Sequence, residues 1–126
     1  GVQAVFLTPG SADPFSPKVL PAGMGAHFRL PIFTAPWKDI YTQCGNFSPP
    51  LNLFLAEAEK GLLYWQADLR APLALIIGGE AEGAPPEIRR AAAAALAIPM
   101  PGRFESLNAA VASGILIFEV LRQRYS

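Results

Sequence analysis

The sequence predicts an α/β domain with a mainly parallel sheet flanked by helices. Short apolar runs closed by glycine or proline turns alternate with stretches of helical character. One of those runs, residues 73–77, is continuously apolar and meets Gly78 and Gly79, as a strand buried on both faces does.

In chain order, VQAVFL reads as a buried strand closed by Thr8, Pro9 and Gly10. Residues 14–33 hold prolines and glycines too densely for a long helix, and leave room for a short helical turn around Lys18 and Leu20 and a strand over 28–33. Residues 39–45 read as a short helix with a glycine C-cap at Gly45, and 51–56 as a strand after the breaker pair Pro49 and Pro50. The polar and aromatic connection YWQADLRAP leads into 73–77, expected as a central parallel strand. Pro85, Pro86 and Glu87 open a helix expected to run through the alanine-rich segment to Leu96. A first-turn proline forfeits no bond, and an acid suits the positive end of the dipole. AIPMP is the last short strand. The final helix carries Leu107, Ala110, Val111, Gly114, Ile115, Phe118 and Leu121 in an i, i+3, i+4, i+7 pattern, predicting one apolar stripe against a partner surface.

A chain of 126 residues, 52% hydrophobic and 16% charged, has material for one core, so one domain is expected. Its formal net charge of zero provides no overall basic field, yet leaves open RNA binding through a single face. One cysteine, Cys44, excludes an internal disulfide framework, and with one histidine, His27, a zinc site of the usual kind is not expected. No apolar run is long enough to span a bilayer as a helix, and a soluble cytoplasmic protein is expected. The chain opens without methionine, directly in a strand-like run, which suggests a preceding segment.

Two loops follow expected strands: GGEAEGAP at 78–85 and PMPGRFESLN at 99–108. In parallel sheets, ligands gather at the carboxyl ends of the strands, and Gly78, Gly79 and Gly83 would let a backbone approach one closely. The first loop is equally readable as a plain strand-to-helix turn with solvated Glu80 and Glu82. A phosphate loop is disfavoured, since no GK[ST] follows and the acids would repel phosphate. In the second loop, Ser106 is sufficient as the N-cap of the last helix, with Asn108 in its first turn.

The two strings together carry more than either loop. Gly78, Glu80 and Gly83, then Ile98, Pro99, Met100, Gly102, Ser106, Leu107, Asn108 and Ala112 after a helix, resemble the second and third motifs of the SpoU/TrmH family of RNA ribose 2′-O-methyltransferases, in the SPOUT superfamily. The likeness is specific over residues 64–124 and looser over 5–33. It implies an S-adenosylmethionine site inside a deep trefoil knot, a feature that no periodicity would suggest because knots are nearly absent from proteins. It further implies cofactor contacts at Gly78, Ile98, Met100 and Leu107, largely through the main chain, and polar active-site positions at Glu80, Ser106 and Asn108. A homodimer acting on ribosomal RNA, ahead of transfer RNA, is the partner expectation, with Phe118, Leu121 and Tyr125 as interface candidates. The family's first motif, with its asparagine and arginine, has no counterpart here, so the chain as given is expected to be N-terminally and catalytically incomplete. The competing expectation is a non-catalytic SPOUT module that dimerises or binds cofactor or RNA.

Single residues carry simpler readings. His27 and Cys44 are expected as packing residues, and Trp37, Tyr64 and Trp65 as core or dimer packing. Arg89, Arg90, Arg122 and Arg124 are expected on solvated helix faces, and Arg29, Arg70 and Arg103 in solvated or phosphate-contacting roles.

Overall fold

A computed structural model of the chain describes residues 2–8, 30–57, 60–78, 84–100 and 109–125. It divides into two compact units, Gly1–Asn46 and Phe47–Ser126.

In the first unit, β1 (Val5–Leu7) and β2 (Ile32–Thr34) pair in parallel. Phe6 stands opposite Phe33, and their rings stack with centroids 5.4 Å apart, a cross-strand aromatic pair that reinforces the register. Helix α1 (Trp37–Gly45) begins directly after Pro36, two residues earlier than the sequence pattern suggests. It buries Ile40 and Cys44, one turn apart, as packing residues. Gly45 is its last helical residue and not its cap; Asn46 takes that place in a right-handed conformation and donates its N–H to Gln43. The expected turn near Lys18, together with His27 and Arg29, lies outside the described residues.

The second unit is built on β3 (Asn52–Glu57), β4 (Leu62–Leu63), β5 (Leu73–Ile77) and β6 (Ala94–Ala97), ordered β4-β6-β3-β5 and all parallel. β5 has the bounds expected from its apolar run but stands at one end of this order; β3 and β6 are interior. Helix α2 is short, Pro86–Ala91, and the chain turns extended at Ala92. The alanine run thus becomes β6 instead of continuing the helix to Leu96. Helix propensity loses here because β6 is hydrogen-bonded on both flanks, to β3 and β4; a helix through 94–97 would leave both strands with an open edge. β4 escapes sequence reading because two residues carry no periodicity.

The register sorts side chains onto two faces. Phe54, Ala56, Leu73, Leu75, Ile77, Ala94 and Leu96 share one face, where α3 (Ala109–Arg124) packs Leu116 and Val120 against Phe54, Ala67, Leu69 and Leu96. Leu55, Leu69, Leu96 and Leu116 are the most completely buried large side chains among the described residues. The opposite face carries Leu53, Leu55 and Glu57.

The stripe expected against a partner surface is only partly covered in this chain: Gly114, Ile115 and Leu121 are half-buried. Val111 and Phe118 are exposed, the latter by 72%, while Leu116, Glu119 and Val120 form the buried face. The C-terminal turns of α3 are tied to the connection between β4 and β5. Gln123 Oε1 accepts from the Leu69 N–H at 2.7 Å, its Nε2 donates to the Ala67 carbonyl at 3.0 Å, and Arg124 donates to the Ala71 carbonyl at 3.1 Å. Any threading of the chain between β6 and α3 depends on 101–108, outside the described residues. Among the described residues no helix is long and apolar enough to cross a membrane.

Candidate cofactor site

All four strands of the larger sheet run the same way, so their carboxyl ends share one edge, where loop backbone is free of ladder pairing. β3 and β5 pair as far as Ala56 and Ile77, β3 and β6 as far as Glu57 and Ala97. Gly78 is therefore level with Glu57 and Ala97 across the sheet, and Ile98 stands one step beyond. Gly78, Ile98 and Met100 are all half-buried. They lie on both sides of the end of β3: Gly78 past β5, Ile98 and Met100 past β6. Ile98 packs against the core cluster, so its side chain is anchored where the backbone leaves the sheet. A Cβ at Gly78 would approach Ala84 N to 3.9 Å and occupy space in front of the strand end. Glu80, Ser106, Leu107 and Asn108 lie outside the described residues.

β4 closes the other side of this edge. The Tyr64 N–H donates to the Ala97 carbonyl at 3.0 Å, one residue before Ile98. Tyr64 is half-buried against the core and meets Trp65 edge-on at 5.0 Å, with Trp65 left largely exposed. Gly61, the residue before β4, has φ of +125°, and a Cβ there would stand 2.7 Å from the Ala95 carbonyl carbon. The close approach of β4 to β6 at this point thus requires glycine.

Electrostatics at the edge centre on Glu57, which the sequence pattern does not single out because it reads as the polar end of an ordinary strand. Its carboxylate is 12% exposed and pairs with Arg89 of α2 at 2.5 Å. Arg89 Nε also donates to the Ala84 carbonyl at 3.2 Å, so this arginine is tethered twice and is not merely a solvated helix residue. Arg122 is exposed on its helix as expected, and it also forks onto the buried Glu119 at 2.7 and 2.9 Å. Arg70 forms an exposed fork with Asp68, whose carboxyl is held down at about 2 by the Arg70 side-chain and backbone hydrogen bonds. Burial raises the Cys44 thiol, consistent with an inert packing residue. Among the described residues no group of three or more His, Cys, Asp or Glu is placed to hold a metal.

The described part of this edge thus brings Gly78, Ile98 and Met100 to neighbouring strand ends. Comparisons with known proteins give the family. The 23S rRNA (guanosine-2′-O-)-methyltransferase RlmB of Xanthomonas axonopodis pv. citri is 33% identical over 128 residues, 98% of this chain and 49% of its own length. An AdoMet-bound rRNA methyltransferase from Sinorhizobium meliloti superposes with a TM-score of 0.89 at 32% identity, over 97% of this chain and 46% of that one. The SpoU methyltransferase AviRb of Streptomyces viridochromogenes, in complex with AdoMet, gives a TM-score of 0.92 at 27% identity, over 100% of this chain and 49% of that one. The chain spans about half the length of the curated relatives it matches. The sequence profile of the SpoU rRNA methylase family matches residues 1–118, and the chain belongs to that family.

Proposed function

We propose that this chain is the methyl-donor domain of an S-adenosylmethionine-dependent enzyme that methylates the ribose 2′-hydroxyl of RNA, ribosomal RNA ahead of transfer RNA. The observation that carries the reading is the strand edge on which Gly78 and Ile98 stand either side of β3, in a chain alike over its whole length to structures described as AdoMet-bound. The residues fit such a group: Gly78, Ile98, Met100 and Leu107 would hold it, mostly through main-chain atoms. When bound it supplies a methyl group activated on a sulfonium. A ribose hydroxyl is a poor nucleophile at neutral pH, so the protein's task is to orient it and draw off its proton. Glu80, Ser106 and Asn108 are the polar groups we assign to that task.

We further propose a homodimer through the outer stripe of α3, where Phe118 and Tyr125 are exposed by 72% and 86%. An exposed ring on α3 with a second just past its end suits a second copy of the same surface.

Calorimetric titration with S-adenosylhomocysteine tests the cofactor site, and transfer of labelled methyl from S-adenosylmethionine to ribosomal RNA tests the activity. We expect the labelled product to resist alkaline cleavage at the modified nucleotide, as 2′-O-methylation demands. Asn108→Ala is expected to lower turnover by roughly a hundredfold while leaving S-adenosylhomocysteine bound. No binding of S-adenosylhomocysteine, or label recovered on a base, would overturn the reading.

A further inference from the structure

We propose that Glu57 and Arg89 are positioning residues for the cofactor mouth. Together they fix the far end of the segment that carries Glu80 to the carboxyl end of β3. The proposal rests on the cofactor reading above and names the groups that hold that site in shape.

The chain leaves β5 at Gly78 and is described again from Ala84. The departure point is set by β5, whose last paired residue, Ile77, is locked to Ala56 of β3. The return point has no strand to hold it. Arg89 holds it instead: Nε takes the Ala84 carbonyl at 3.2 Å while Nη1 meets Glu57 at 2.5 Å. A planar guanidinium that donates from Nε to a carbonyl while Nη1 faces a carboxylate as an ion pair fixes direction as well as distance, which a lysine ammonium does not. Both ends of 79–83 are thereby referenced to β3, at the level where Ala97 hands over to Ile98.

Chemistry argues that this pair is not there for stability alone. Glu57 Oε1 is buried and accepts no hydrogen bond among the described residues, where Arg89 is the charge that lies against it. Burying a carboxylate beside one arginine costs about as much as the pair returns, and an apolar residue at a strand end would serve packing as well. What the apolar residue would not do is hold Arg89, and through it Ala84.

The test compares Arg89→Met, Arg89→Lys, Glu57→Gln and the double variant Glu57→Gln/Arg89→Met with the unaltered protein. Arg90→Met, exposed on the same helix, is the control. Binding of S-adenosylhomocysteine is read by calorimetry, and backbone deuterium uptake over residues 78–88 is read without ligand. We expect Arg89→Met to weaken binding about tenfold, as misplacement of a binding segment does, and to raise uptake, with Arg90→Met unchanged in both. Arg89→Lys is expected to recover part of the affinity because it satisfies one acceptor at a time. The double variant is expected within about twofold of Arg89→Met, since the two side chains act as one unit. Should Arg89→Met fail to fold, the comparison rests on Arg89→Lys and Glu57→Gln, which keep side-chain bulk. Normal affinity in those variants, or an equal loss in Arg90→Met, overturns the positioning role. Failure of the unaltered protein to bind S-adenosylhomocysteine overturns the cofactor reading instead, and takes this role with it.

Discussion

Gln123 shows how much one side chain decides. Its amide gives an acceptor to the N–H of Leu69 and a donor to the carbonyl of Ala67, two buried residues that lie in no strand. Gln123→Ala strands both backbone groups, and a loss of about 2 kcal/mol is expected, read as a lower urea midpoint at unchanged slope. Beside it, Glu119 accepts from Arg122 and Gln123, and these bonds hold its pKa below the usual glutamate value despite burial. A depressed carboxylate stabilises the fold fully above its unfolded pKa and loses that contribution as pH falls through the folded value. Glu119→Gln is therefore expected to lower stability at neutral pH and to flatten the decline below about pH 4.5, measured by thermal melts across an acid series. Gly61→Ala forces a side chain into a positive-φ position against Ala95 and is expected to cost about 2 kcal/mol.

At the scale of elements, legibility follows local pattern. Strand β5 is legible to the residue because five apolar residues run into a glycine, a signal that needs no partner to interpret. The alanine run is misread for the opposite reason: alanine favours helix in isolation, and only the open edges of β3 and β4, remote in sequence, convert it to strand. Helix α3 is legible as a helix but not in its orientation. Its apolar residues surround most of its circumference, so the buried face follows from what Leu69, Phe54 and Leu96 present to it. Leu116→Ala is accordingly expected to destabilise by about 3 kcal/mol in chemical denaturation. Of the candidate site, the motifs point to two loops that lie largely outside the described residues, whereas Glu57 and Arg89 became visible only when the register brought the ends of β3, β5 and β6 to one level.

For the whole molecule, the outward stripe of α3 makes association the property to measure. Phe118→Asp is expected to convert the proposed dimer to a monomer in light scattering while the circular dichroism stays the same. One feature of the larger sheet reaches beyond the finished structure. β6 is the latest of its four strands to be synthesised, yet it sits between β3 and β4, which are made some thirty or more residues earlier. On the ribosome, those two strands wait with facing edges bare until Ala97 has cleared the exit tunnel. Over that interval the nascent chain presents two unpaired strand edges, which are templates for illicit strand pairing.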